Sequence, residues 1–521
     1  MKKYYHLAAA LVLSASSAFP QTTAAQVSAR AAARFLDQAT WGPTPASIAQ
    51  VQSMGFENWL KAQFALNTSD LPDQPLLDSA GKQNNNLAPV QAAFFQNTVA
   101  NNDQLRQRIA FVLSQLWVVS QQSGVPNAYA YPPYWRILRD NAFGNYRDII
   151  KAVTLSPAMG RYLNMANNNK ANAATGSAPN ENYARELMQL FTVGLTQLNM
   201  DGTPVQQNGA SVPTYTQAIV TSSAAAITGW TYPTAPGATA KTNNPAYYMG
   251  TMFAVESEHD TTQKTTIGNV TIPAGQTAGQ DLDSFIGALM AQPTMAPFIS
   301  KQLIEHLVTS NPSPGYVQRV ATIFADNGYG VSGDMQAVIS AILLDQEARN
   351  ADDPTYAVPS YFGHMREPVL FFSDVLRGLN ATVASTSTLA GEASNMGENL
   401  FNEPSVFSYF SPSSRTEFGL TGPEFQIYST QTAVDRVNYL TAILYGTGKN
   451  GYTVNLAPFA AVAGDTVGLL DYISNIFLHG NMSSDLQQAA TAAVNAQTTA
   501  TAKAQAALYV VLTSSEYQII Q

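Results

Sequence analysis

The segment from Pro179 to Gly194 gathers charges that can do chemistry. Glu181, Arg185 and Glu186 follow the natural N-cap Asn180 and precede the helix-ending Gly194. At about 100° per residue, Tyr183, Leu187, Leu190 and Phe191 share one side of a helix read from Glu181 to Val193, opposite a polar stripe of Glu181, Arg185 and Gln189. Glu186 lies near the boundary, beside Leu190. Two uses follow from the same residues. As structure, Glu181 is favoured by the positive helix N-terminus and pairs with Arg185 four residues on. As chemistry, Glu181 or Glu186 supplies a general acid or base, and Arg185 holds a substrate anion.

A second candidate set is His259 with Asp260, preceded by Glu256 and Glu258. Imidazole beside carboxylates can serve as acid, base or metal ligand, though so much local acidity predicts a solvated loop. The other histidines carry weaker signals. His6 lies in the first segment, His306 beside Glu305 reads as a partly buried, hydrogen-bonded side chain, His364 as the start of a helix and His479 as a helix end. No HExxH, GxSxG or GxxxxGK[ST] pattern is present, and without Cys there is no thiol nucleophile. Asp334, Asp345 and Glu347 lack EF-hand spacing, so Gly333 and Asp334 read as a turn and N-cap. No metal ligand or cofactor is assigned. The aromatic, proline-bounded run Pro404 to Pro412 reads as core, although its rings would suit sugars at an exposed cleft.

The elements that position these residues are mostly helices. Leu105, Ile109, Val112, Leu113 and Leu116 share one helical face; Thr44 caps a helix with Pro45 in its first turn, and Gly55 closes it. Further helices read from Tyr146 to Leu155, Thr216 to Ile227, Met295 to Leu307, Tyr316 to Phe324 and Asp334 to Leu344. Others run from Glu367 to Leu379, Phe425 to Leu444, Val467 to Phe477 and Ala500 to Leu512. Strand signals are confined to Met252 to Val255, Thr265 to Ile267 and Val270 to Ile272, a small hairpin that would hold His259. Linker composition marks Asn167 to Pro179, Asn199 to Pro213 and Tyr232 to Ala246. The fold class is therefore mainly α, an irregular multi-helix bundle with a small β-hairpin insertion.

Lys2 and Lys3, the apolar run Leu7 to Leu13, and small residues at Ser16 to Ala18 or Thr23 to Ala25 have the order of a secretory signal peptide. Residues 1–25 are read as that signal and 26–521 as one extended helical domain; a division into two lobes would fall near 231–280. The expected location is periplasmic or extracellular. No segment is long and apolar enough to predict a membrane span. Charged residues are 12% of the chain, far below the usual share of about 25%, so Asn, Gln, Ser and Thr must wet the surface. The net charge of −9 comes without a Lys/Arg cluster, which argues against nucleic acid as a partner.

The stretch Asn180 to Gly194, with Tyr215, Thr216 and Gln217 and with Ile227, Thr228, Gly229 and Trp230, resembles the uncharacterised secreted bacterial family catalogued as domain of unknown function 1800. Further likeness lies in Pro293 to Val308, Asn311 to Phe324, Gly333 to Arg349, Arg366 to Leu370, Pro404 to Pro412 and Ala507 to Gln518, so the resemblance covers about residues 34–521. It implies export and, as a partner, a co-encoded exported protein of sulfatase-like or phosphatase-like type; it implies no activity. Where many members carry an acidic residue, a His and an Asp, this chain has Gln189, Phe191 and Ile219, so a metal site on those positions could not operate here. The leading expectation is an exported protein that binds an extracellular polymer such as a polysaccharide, or the sulfatase-like partner. The alternatives are a polysaccharide hydrolase or lyase using Glu181, Arg185, Glu186, His259 and Asp260, and thirdly a metal-dependent enzyme. Convergence of those five residues on one pocket would favour catalysis; dispersal would favour binding. N-terminal sequencing of the exported protein is expected to start near Phe19 or Gln26. An intact Met1 outside the cytoplasm would overturn the signal-peptide assignment.

Overall fold

The computed structural model describes residues 27–446 and 451–521, so the expected export signal and His6 lie outside the described residues. Local rules account for many helix starts. The Thr44 hydroxyl accepts from the Ser47 amide at 3.0 Å while the Thr44 amide donates to the Ser47 hydroxyl at 2.8 Å, a reciprocal cap that opens Pro45–Met54. Gly55, at φ 75°, closes that helix. Asp334 caps Met335–Leu344 by accepting from the Gln336 and Ala337 amides. Met295–Leu307 coincides with its predicted span, and Tyr146–Thr154, Thr466–Phe477 and Ala500–Thr513 fall within a residue or so of theirs.

Differences from expectation have local causes. The single helix read from Phe425 to Leu444 is a 3-10 turn, Pro423–Ile427, followed by Thr430–Tyr445, because Ser429 and Thr432 form a reciprocal cap that starts a new helix. Gln104–Leu116 buries not one face but nearly its whole circumference, with Gln107 and Arg108 as enclosed as Leu105 and Ile109. Ala29–Ala39, Ala88–Ala100, Tyr131–Asn141, Ala278–Met290 and Ser484–Asn495 are helices beyond the expected set, although Ala278–Met290 carries an apolar stripe of Leu282, Phe285, Ile286 and Leu289.

Short antiparallel pairs decorate this helical body. Lys264–Thr266 pairs with Val270–Ile272 as expected, around Gly268 and Asn269 in left-handed conformation. Phe253–Ala254, however, pairs with Trp230–Thr231 instead of joining that hairpin. A hairpin between Gln206–Gln207 and Ala210–Ser211 lies in a stretch read as linker; its Asn208–Gly209 turn was the available signal. His364 is not at a helix start but in the strand His364–Met365, paired with Ile519–Ile520.

One continuous apolar cluster runs through the molecule from Ala32 to Ile520, with Trp41, Phe94, Phe111, Trp135 and Phe401 as an aromatic centre. Charges are embedded beside it. Asp37, in Ala29–Ala39, accepts two bonds from the Arg366 guanidinium at 2.7 and 2.9 Å and a third from His479 Nε2 at 3.0 Å. Arg366 also donates to the Tyr517 carbonyl, and the Tyr517 hydroxyl donates to Asp374 at 2.6 Å. All five side chains are buried. Although burial opposes ionisation, Arg366 and His479 hold the Asp37 carboxyl far below its ordinary range. Burial pushes Asp374 the other way, to about 7. Burial lowers His479, which leaves it neutral at pH 7.

Removing one member of such a pair strands the other charge in a dry interior, at a cost of about 3–5 kcal/mol. Asp37→Asn is therefore expected to lower the unfolding free energy by about 3–5 kcal/mol in urea titration, with an unchanged dependence on urea. A loss below about 1 kcal/mol would show that this pair does not hold the fold.

Candidate functional site

The helix at the first motif is Asn182–Gln189, shorter than the span read from Glu181 to Val193. The N-cap is Glu181, without a side-chain cap bond, and the expected cap Asn180 stands one residue earlier, its Oδ1 accepting from the Asn182 amide at 2.8 Å. The helix ends early because the amides of Leu190 and Phe191 both turn to the Glu186 carbonyl, after which those of Val193 and Gly194 share the Met188 carbonyl. Gly194 sits at φ 71° with the Phe298 ring where a Cβ would be, so both conformation and space require glycine. The buried face is Tyr183, Ala184, Leu187 and Met188, with the Tyr183 hydroxyl bonded to Thr154 at 2.7 Å. Phe191 stacks on Trp117 at 4.2 Å, an apolar setting.

The structure brings Glu181 and Arg185 together as expected, at 2.8 Å, both partly exposed. Glu181 also accepts from Gln217 at 2.7 Å and Thr221 at 2.6 Å, on the following helix Gln217–Ala226. Thr221 and Gln217, then Arg185, draw the Glu181 carboxyl below its ordinary value. Arg185 donates to Gln217 at 3.1 Å as well, so the polar stripe fastens the two motifs to each other. Glu186 is different. It is half-buried, its Oε2 is enclosed and has no hydrogen-bond partner, and burial raises its carboxyl against the opposing pull of Arg185. Two further enclosed atoms without partners, the Tyr215 hydroxyl and Thr214 Oγ1, belong to the strip leading into the second motif. The Tyr215 phenol is raised by burial and by the nearby Glu186 charge.

His259 does not join this group. Instead of a solvated place in a hairpin, it is fully buried just before the hairpin, because Gly229 lets the chain cross close enough for its imidazole to enter the core. A Cβ at Gly229, where φ is 84°, would stand about 2.9 Å from the His259 amide nitrogen, which explains the glycine of the second motif. His259 Nε2 lies 3.1 Å from Asp281, which also takes Lys264 at 2.6 Å, while Nδ1 meets the Thr228 carbonyl at 3.0 Å. Asp260 turns to Thr262, at 2.8 Å from its amide and 2.6 Å from its hydroxyl. Among the described residues, no hydrogen bond or ion pair joins His259 or Asp260 to Glu181, Arg185 or Glu186.

A positioning residue that composition concealed is Asn168, in the stretch read as linker. Its side-chain amide accepts from the Asn180 amide at 2.7 Å and donates to the Asn180 carbonyl at 2.9 Å, while its own carbonyl accepts from Gly229 at 2.8 Å. One buried asparagine thus holds both motifs in register. Its neighbour Asn167, at φ 60°, supplies the left-handed turn that Asn tolerates.

Fold and site define a mainly α protein with small two-stranded hairpins, whose two motifs are joined through side-chain amides and carboxylates. The family model described as Protein of unknown function (DUF1800) matches residues 34–519, and the chain belongs to that family. No curated protein and no solved structure matches the chain. Among the described residues, no helix is long and apolar enough to cross a membrane.

The two ends of the stripe separate by stability. Arg185→Ala breaks a half-exposed pair and is expected to cost at most about 1 kcal/mol. Glu186→Gln replaces a desolvated carboxyl with an amide of the same shape and is expected to leave the melting temperature unchanged or raise it. A loss above about 3 kcal/mol in either variant would mean that its charge is buried and structurally required.

Proposed function

We propose that this is an exported protein that binds a neutral, hydroxyl-rich extracellular polymer, a polysaccharide, at the face formed by Asn182–Gln189 and the segment entering Gln217–Ala226. The observation that carries this reading is the enclosed, unpartnered pair Glu186 Oε2 and Tyr215 hydroxyl. Enclosed polar atoms are costly unless a partner or ordered water completes them, and a ligand hydroxyl can both donate and accept there. Burial disfavours charge on both groups, which suits a neutral ligand. Arg185 is already engaged by Glu181 and Gln217, so it is a poor clamp for a ligand anion. That His259 and Asp260 share no bond with Glu181 or Arg185 among the described residues supports binding over a joint catalytic role.

One observation favours a second reading, hydrolysis of the same polymer. Glu186 and Glu181 have environments that push their carboxyls in opposite directions, the pattern of an acid and a base. A single pair of variants separates the readings. In affinity electrophoresis through neutral glucans and mannans, Glu186→Gln and Tyr215→Phe are each expected to weaken retardation about five- to tenfold, with no new reducing ends produced by the wild-type protein. Reducing ends made by the wild type and lost in Glu186→Gln would replace binding with hydrolysis. Retardation absent from the wild type, or unchanged in both variants, would overturn the polymer reading and favour a protein partner of the sulfatase-like type.

A further inference from the structure

A cavity of about 530 Å³ lies away from both motifs, where the first helix meets the turn after Thr466–Phe477 and the C-terminal strand. Arg30, Arg34, Val358, Phe477, His479 and Glu516 are among its lining residues. Its size falls in the range of small-molecule sites, roughly 300–1,000 Å³. Arg34 is 1% exposed, so its charge is almost wholly withdrawn from water. Nη1 is satisfied by the Ala348 carbonyl at 3.2 Å and by Asp352, but Nη2 is enclosed and has no partner.

The charges around the cavity leave this guanidinium under-compensated. Asp352 is shared between Arg34 and Arg349, so one carboxylate serves two cations. Burial and then Arg349 pull Arg34 down to about 10, which still leaves it charged at neutral pH. Arg30 donates to the Ala351 carbonyl at 2.9 Å and draws partial counter-charge from Asp352 and Asp353. Glu516, the acid in the lining, is occupied by the amide and hydroxyl of Ser483. His479 is held by Asp37 and is neutral, adding neither charge. A buried N–H of a cation without an acceptor calls for an oxyanion, and two arginines can offer forked donors to its oxygens.

We propose that this cavity binds a sugar-sized oxyanion, a sugar carboxylate or a sugar sulfate, whose charged oxygens are held by Arg34 and Arg30 and whose body rests against Phe477 and Val358. The site is independent of the neutral-polymer face, which shares none of its residues. The test is isothermal titration of the exported protein with glucuronate, glucose 6-sulfate and glucose at low ionic strength. Either or both anions are expected to bind saturably and glucose not to bind; the stronger anion identifies the oxyanion type. Arg30→Gln, on a half-exposed residue, is expected to weaken binding about tenfold with an unchanged melting temperature. Arg34→Lys keeps the charge but loses the fork and is expected to weaken it at least as much. Absence of binding by both anions, equal binding of glucose, or wild-type affinity in Arg30→Gln would overturn the proposal. Polymer retardation in Arg30→Gln reads the other face separately and is expected to be unchanged.

Discussion

The contact on which the rest of this structure depends is the buried pair of Asp37 and Arg366, residues 329 positions apart in the chain. Taking two charges out of water has a large penalty, recovered only where geometry is good and the remaining donors and acceptors are used. Here Asp37 takes His479 as a third donor, and Arg366 spends its Nε on the Tyr517 carbonyl. The arginine also lies over the Tyr517 ring at 4.7 Å. Its backbone carbonyl receives Arg436, which in turn bonds Gln518. The first helix, the Pro368–Gly378 helix, the turn at His479 and the final strand are thereby set in one arrangement. Apolar packing alone would tolerate small slides among these elements; a saturated ion pair does not.

The protein has few charges and places an unusual share of them inside. Arg108, Arg377, Glu367, Glu398 and Glu403 are buried as well as the Asp37 network. Arg377 donates to the Gly42 carbonyl, and Gln115 donates to Glu367. Ionic groups here act largely as fasteners between distant segments, while amides and hydroxyls cover the exterior. Glu403 shows the consequence for titration, since burial pushes its carboxyl to about 8. Open polar atoms recur in this interior, on Arg108, Glu398 and Glu403 as well as on Glu186, Tyr215 and Arg34. Those around Glu186 and Tyr215 suit neutral hydroxyls, whereas the one on Arg34 suits an anion.

Sequence and structure agree at several positions whose role depends on neighbours within a few residues. The Thr44 and Asp334 caps, the Gly55 stop, the Glu181–Arg185 pair and the apolar side of Asn182–Gln189 are all legible, because helix geometry sets which residues meet at three or four positions' distance. The Lys264–Thr266 hairpin is legible for the same reason. His259 is not. Its acidic neighbours suggest solvent, but its burial follows from Gly229, thirty positions earlier, and from Asp281 and Lys264 arriving on other elements. Asn168 sits in a stretch whose composition reads as linker, because a side chain that completes another segment's backbone bonds leaves no pattern in its own neighbourhood.

The sequence by itself determined the helical class, many of the helix ends and the family to which the chain belongs, since periodicity, caps and motif order are local properties. Only the tertiary structure decided which charges are structural and which are open. Arg34 and Arg366 are both arginines in apolar surroundings along the chain, yet Asp37 and the Tyr517 carbonyl together satisfy one guanidinium, while the other keeps an enclosed Nη2 without a partner. That difference is made by acceptors arriving from hundreds of residues away, and no spacing rule reaches across that distance.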